Sequence, residues 1–232
     1  MANLKLCPTP MVVGKPISST DGDKLNNPTL YRSLLGALQY LCHTWPDISF
    51  PVNNLSQFLQ EPATTHWSGA KRILRYLKGT VHNGLHIGES GNRSIVGYSD
   101  ADWACCPDDR RSIASYCVYF GDSLVSWSSK KQVVVSSSST EFEYRALAHV
   151  AAKIAWIESL LKELNFPLPS KSVTWCDNIN AAALASNPMH HARTKHIELD
   201  VNFVQDKVLR KELEVVYMPS ADQIIDCLTK GL

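Results

Sequence analysis

Four acidic side chains stand out by where they sit. Asp100 closes a short apolar run in "RSIVGYSDAD", and Asp177 directly follows another in "VTWCDN". Glu143 and Asp226 fall on stretches with helical spacing. Two aspartates at the ends of neighbouring strands, a glutamate on a crossing helix and an aspartate on a late helix can converge. Carboxylates gathered in this way repel one another unless they share a cation. An all-oxygen ligand set without histidine or cysteine selects a hard ion, Mg²⁺ or Mn²⁺. Two such ions activate a water and stabilise a leaving oxygen in phosphodiester hydrolysis. Each acid also has a plainer role open to it. Thr140-x-x-Glu143 and Ser138-x-x-Glu141 both fit a helix capping box, and Asp177 fits an N-cap.

The elements that must position these acids are readable from periodicity. Residues 1–28 are polar and proline-rich and read as an irregular lead-in. A helix follows over about 29–43, with Leu30, Leu34, Leu38 and Leu41 as its stripe. A second begins near Asp47 and takes Pro51 in its first turn. A third covers about 65–79, closed by Gly79. Its apolar face is Trp67, Ala70, Leu74 and Leu77. Its basic face, Lys71, Arg75 and Lys78, reads either as a solvated surface or as a phosphate track.

From about Ser94 the spacing turns to alternation. "RSIVGYSD", "IASYCVYF" and "SLVSWSS" read as three strands, the last two joined at Gly121-Asp122. "VTWC" and "LEVVYM" are two more. Helices are expected over about 139–164, 178–186, 195–210 and 221–229. The long helix carries Leu147, Val150, Ile154, Ile157, Leu161 and Leu164 on one face. Four residues back along that face lies Glu143, whereas Glu141 is turned well away from it. The order βββ-α-β-α-α-β-α makes this part an α+β or mixed-sheet domain, with a boundary near 80–93 from the helical segment before it.

Bulk properties bound the rest. The chain has 232 residues and a formal net charge of +1, so a nucleic-acid partner would have to be met by a local patch. No apolar run approaches the roughly 18–20 residues of a membrane span, so no membrane partner is expected. The first residues, "MANLKLCPTPMVV", lack a secretory pattern. Seven cysteines without a C-x-x-C pair imply reduced thiols in an intracellular, not secreted, protein.

The blocks "YRSLLGALQYLCHTWPDISFPVNNLSQFLQ", "HWSGAKRILRYLKGT", "GYSDADWA", "DDRRS", "SWSSKKQ", "SSTEFEYRALA", "WCDN", "HARTKHIELD" and "DQIIDCLTK" together resemble the C-terminal part of copia-type LTR retrotransposon Pol polyproteins. The resemblance covers nearly the whole chain. It implies an α+β fold: a ribonuclease H-like domain over 93–232, with a mixed five-stranded sheet flanked by helices, preceded by a small helical segment over 29–92 whose residues 29–80 resemble the thumb or connection tail of a reverse transcriptase. The polymerase motif Tyr-x-Asp-Asp is absent, so no polymerase activity is expected. The implied activity is endonucleolytic cleavage of RNA in an RNA–DNA hybrid, using two Mg²⁺ ions for which Mn²⁺ substitutes. The implied ligands and catalytic groups are Asp100, Glu143, Asp177 and Asp226. Glu143 is chosen because the family's glutamate is followed three residues on by alanine, here Ala146; Glu141 is the alternative. Asp102 and Asp222 are expected to support Asp100 and Asp226. The hybrid would be gripped by Arg110, Arg111, Lys130, Lys131, Arg193, Lys195 and His196, with Asn178 and the Ser138–Thr140 turn reading 2′-hydroxyls. His190, His191 and His196 read equally as surface groups. Partners implied are the hybrid and the rest of the reverse transcriptase, in a cytoplasmic virus-like particle or the nucleus.

The sequence departs from this family at Cys105, Ser137, Phe142 and Ile225, where glycine, arginine, alanine and alanine are usual. Nor has "YMPSADQ" the histidine that cellular enzymes of the class often carry there. A catalytically weakened binding module, or a structural subunit pairing through 29–80, are the rival readings.

Overall fold

In the computed structural model, residues 5–14, 16–89, 91–136, 138–187 and 195–231 are described, Lys195 by its backbone alone. The alternating run after Ser94 forms β1 (Ile95–Asp102), β2 (Ile113–Phe120) and β3 (Ser123–Lys131). The three pair antiparallel, with β2 and β3 joined through Gly121 and Asp122. Gly121 takes φ +57°, a conformation that favours glycine and lets two residues reverse the chain. A long helix, α4 (Ser139–Glu163), then carries the chain across to β4 (Ser172–Cys176), which pairs parallel with β1. β5 (Leu213–Tyr217) pairs parallel with β4, and the sheet order is β3-β2-β1-β4-β5. Two further helices, α5 (Ile179–Ser186) and α6 (Glu198–Leu209), pack with α4. This is the expected mixed five-stranded sheet flanked by helices.

The main core joins α4 to one face of the sheet. Leu147, Val150, Ile154 and Ile157 are buried among Ile95, Val118 and the inner faces of α5 and α6. Leu161 packs at its edge, but Leu164 is exposed at the C-cap, where the helical face has run past the sheet. Gly97 fixes how close α4 comes to β1. A Cβ there would lie 2.8 Å from Val150 Cγ2 and 2.9 Å from Ile154 Cδ1. Contacts this short cannot stand, so a side chain at 97 would force Val150 and Ile154 to shift.

The preceding segment has its own core. Helices α1 (Pro28–Leu41), α2 (Ser49–Ser56) and α3 (Thr64–Gly79) bury Tyr31, Leu35, Leu38, Val52, Leu55, Ala70 and Ile73 together. The α1 stripe differs from the expected one. Tyr31 and Leu35 are its centre, and Leu30 points outward, because the Tyr31 hydroxyl donates to Leu55 O at 2.8 Å. Gly79 is the last residue of α3, and the C-cap is Thr80, whose φ of -114° is not αL. The lead-in is irregular but attached: Arg72 and Arg75 of α3 donate to Thr9 O and Lys5 O at 3.1 and 2.7 Å.

One expected element is not formed. Residues 221–229 make no α-helix. Two single 3-10 turns stand there, Ser220–Asp222 and Asp226–Leu228. Gln223 breaks the run: its backbone is extended, and its Nε2 donates to Ser99 O of β1 at 3.0 Å. Ile225 and Leu228 bury their side chains against Cys117 on the sheet face opposite α4. The expected helix over 195–210 begins as a 3-10 turn, Lys195–Ile197, before α6. Among the described residues, no helix is long and apolar enough to cross a membrane.

The helical segment docks against β3 and these C-terminal turns. Trp127 Nε1 donates to Cys42 O at 2.9 Å, Asn53 Nδ2 to Ser129 O, and Lys131 Nζ to Gln57 Oε1 at 2.8 Å.

Candidate metal centre

Parallel pairing places the first two acids. The last paired residues of β1 and β4 are Ser99 and Cys176, so Asp100 and Asp177 follow side by side at the same end of adjacent strands. Glu143 lies in the second turn of α4, seven residues before Val150 and hence on nearly the same helical face. The close approach at Gly97 brings that face to β1. One carboxylate oxygen from each of Asp100, Glu143 and Asp177 lies within 4.8 Å of the others.

The surroundings of the three are unequal. Asp100 is 3% exposed, and its Oδ2 accepts from Thr229 Oγ1. Burial pushes its carboxyl up to about 6, a rise opposed by the Thr229 hydrogen bond and aided by the charge of Asp177. Glu143 is 6% exposed, and burial, with the charges of Asp177 and Asp100, pushes it up to about 9. Asp177 Oδ2 accepts from Ser220 Oγ at 2.8 Å. Glu143 Oε2 and Asp177 Oδ1 are buried and accept no hydrogen bond. Buried acceptors without a donor, beside other carboxylates, are costly unless a cation meets them. An all-oxygen set of this kind fits a hard divalent ion.

The capping alternatives separate cleanly. Ser138 is the N-cap of α4 and accepts from Glu141 N at 3.2 Å. Thr140 is not the cap, so Glu143 is not spent in a box. Glu141 is buried but pairs with Arg145 at 3.0 Å and stands outside the trio. Asn178, not Asp177, caps α5, its side chain accepting from Ala181 N at 3.0 Å.

Asp226 is not one of the three. It opens the turn Asp226–Leu228, and Lys230 Nζ lies 3.1 Å from its Oδ2. Asp222 does not sit one helical turn before it, as expected, because the helix is absent; it ends the earlier turn, exposed. Asp102 is half-buried at the end of β1, its carboxyl raised by burial. Ile225 is under the sheet, and Phe142 packs on Ala101, Ala114 and Ala146 and stacks on Trp103 at 6.4 Å. Lys230, Thr229 and Ser220, which touch Asp226, Asp100 and Asp177, were not foreseen from the sequence. Spacing offered no signal for them, since their placement depends on the irregular turns.

The expected basic contacts divide. Lys130 is exposed at the end of β3, and Arg110 is exposed in the β1–β2 loop. Lys131 is not offered to a phosphate: its ammonium pairs with Asp109 at 2.8 Å and reaches Gln57 of the helical segment. Arg111 lies 3.5 Å from the same Asp109 carboxylate. His196 is exposed, and its backbone oxygen accepts from Arg145 at 3.3 Å. Ser138 and Asn178 use their side chains as caps. Arg193, His190, His191, Ser137 and the Lys195 side chain lie outside the described residues. Burial lifts the Cys105 and Cys176 thiols to about 12, and no cysteine joins the trio.

A search of models of known protein families finds no match. Among curated proteins, the chain is 45% identical over 232 residues to the retrovirus-related Pol polyprotein from transposon RE2 of Arabidopsis thaliana, which covers 100% of the chain and 16% of the relative. It is 36% identical over 227 residues to the Pol polyprotein from transposon TNT 1-94 of Nicotiana tabacum, covering 97% of the chain and 16% of that relative. The chain thus spans about a sixth of the length of these relatives. Among solved structures, it is similar to the foamy viral protease-reverse transcriptase in complex with RNA/DNA hybrid, with a TM-score of 0.47 and 12% identity over 88% of this chain and 26% of that one. It is also similar to LC11-RNase H1 in complex with RNA/DNA hybrid, with a TM-score of 0.42 and 11% identity over 57% of this chain and 90% of that one.

Proposed function

The chain belongs to the retrovirus-related Pol polyproteins of copia-type transposons, and on that premise we propose that it is a divalent-cation-dependent nuclease that cuts the RNA strand of RNA–DNA hybrids. The observation that carries this reading is the trio of buried Asp100 and Glu143 with half-buried Asp177, two of whose acceptor oxygens are left without a donor. Asp100, Glu143 and Asp177 would hold a first Mg²⁺, and Asp226 would complete the place of a second, with Mn²⁺ as substitute. Bound there, the ions would activate water and neutralise charge on the phosphate. The chain's own groups do the positioning. Thr229 fixes one oxygen of Asp100, and Ser220 fixes one of Asp177, leaving their remaining oxygens for ligation. Burial and the neighbouring acids favour the protonated form of Glu143, and a cation held there would favour the ionised one. Lys130 and Arg110, both exposed, would meet backbone phosphates, which position a duplex without reading its sequence. Residues 29–80 would be the tail of the reverse-transcriptase region, docked on β3.

The test is cleavage of an end-labelled RNA–DNA hybrid with Mg²⁺, with Mn²⁺ and with EDTA, beside Asp100→Asn. Cutting of the RNA strand alone, dependent on the ion and lost in the variant, is expected. Undiminished cutting in EDTA would sink the metal assignment. Tight hybrid binding without cutting would favour the binding-module reading.

A further inference from the structure

Two consecutive residues after the turn Asp226–Leu228 engage different acids. Thr229 Oγ1 donates to Asp100 of the trio. Lys230 Nζ lies 3.2 and 3.1 Å from the two oxygens of Asp226. The turn is closed from within: Lys230 N donates to Asp226 O at 2.8 Å. One short loop therefore supports one acid of the trio and neutralises another that lies outside it. The lysine faces more than its partner. The charges of Asp100 and Asp102 also act on it, and it acts in turn on Asp100 and Glu143.

We propose that Lys230 is the resident cation at the Asp226 end of the cluster. A divalent ion entering the free protein is taken first by Asp100, Glu143 and Asp177, and a second ion must displace an ammonium hydrogen-bonded to both oxygens of Asp226. This inference rests on the metal-dependent reading above. Among the described residues, the trio's open oxygens at Glu143 and Asp177 accept no hydrogen bond, whereas both oxygens of Asp226 already meet the Lys230 ammonium. The pair is half-exposed, so it sets an order of occupancy rather than a barrier.

The experiment is a Mn²⁺ titration of the intact chain without nucleic acid, with free Mn²⁺ read by electron paramagnetic resonance. The wild-type protein should fill in two separated steps. Lys230→Met should tighten the second step about fivefold and leave the first in place. Lys230→Arg, which keeps the cation, should restore the wild-type separation. Adding Asp226→Asn to Lys230→Met should abolish the gain. The proposal falls if Lys230→Met leaves both steps unchanged, or if Lys230→Arg behaves like Lys230→Met. Asp100→Asn should remove the first step. If that variant keeps it, the three-carboxylate reading has failed, separately from the lysine's role. A wild-type chain that binds no Mn²⁺ overturns both. Circular dichroism of each variant separates these outcomes from misfolding.

Discussion

The acidic cluster has two ends built in different ways. Asp100, Glu143 and Asp177 sit on or directly after regular elements: two parallel strands in register and a helix packed close over Gly97. Asp226 sits on a single 3-10 turn, and its neighbours Gln223, Ile225, Leu228 and Thr229 each reach the sheet by a separate contact. A strand or helix carries position along itself by its period, so one good contact places many residues. An isolated turn has no such period, and each contact must be made on its own. The first end leaves acceptors open, and the second has already closed them with a lysine.

That difference should be visible when the two ends are mutated in turn. Asp100→Asn should lower single-turnover cleavage by about 10³-fold or more. Asp226→Asn should cost only about 10-fold, because its carboxylate is not in the trio. Equal losses would mean that the ends act as one site, whatever their construction.

Thr229→Val probes the bridge between the ends. It removes the hydroxyl that orients Asp100. Mn²⁺ affinity should fall by about 10-fold or more, measured by titration. Stability should fall by about 1.5–3 kcal/mol, the usual worth of a hydrogen bond to a charged group. Unchanged affinity would show that β1 alone orients Asp100.

Acidity offers a third way. Folding raises Glu143 from 4.5 to about 9 and Asp100 from 3.8 to about 6. Between those values the folded chain holds more protons than the unfolded one, so stability falls as pH rises through the window. It is fully present below about pH 4, the region of the unfolded values. In EDTA the melting temperature should therefore drop by several degrees between pH 5 and pH 9. Divalent ions should flatten the slope, since they hold the ionised trio. A melting temperature that climbs with pH in EDTA would contradict the burial of these carboxyls.

The smallest effect is expected at the second end alone. Gln223→Ala deletes the donor to Ser99 O. Urea unfolding should register a loss of about 1 kcal/mol. A much larger loss would make the turns part of the cooperative core.

What could be read in the sequence follows the same division. Alternation and helical spacing marked all five strands and the long helix. Extending the Val150–Leu147 face backwards put Glu143 beside the sheet, where it lies. The turn at Gly121-Asp122 was equally plain. Residues 221–229 misled because their apolar positions, Ile224, Ile225 and Leu228, mimic a short helical stripe. Gln223 overrides that stripe through a hydrogen bond to a residue 124 positions away, which no local pattern contains. The α1 stripe shifted for a similar reason, because Tyr31 is held by Leu55 across the bundle. Lys131 looked like a phosphate ligand from its place after a strand, but its partners, Asp109 of the β1–β2 loop and Gln57 at the end of α2, are far from it in sequence.

The hydrogen bond from Thr229 to Asp100 spans 129 positions of the chain. A ribosome delivers Asp100 long before the hydroxyl that will orient it. The hairpin of β1 and β2 joins near neighbours and has little loop entropy to overcome, whereas the turn that reaches back to β1 closes a loop through nearly the whole sheet domain. Long-range closures of this kind slow folding and come late in it. During synthesis the sheet can thus exist with its acids gathered but not yet oriented. An early, incomplete form of the protein would be well packed and still incompetent.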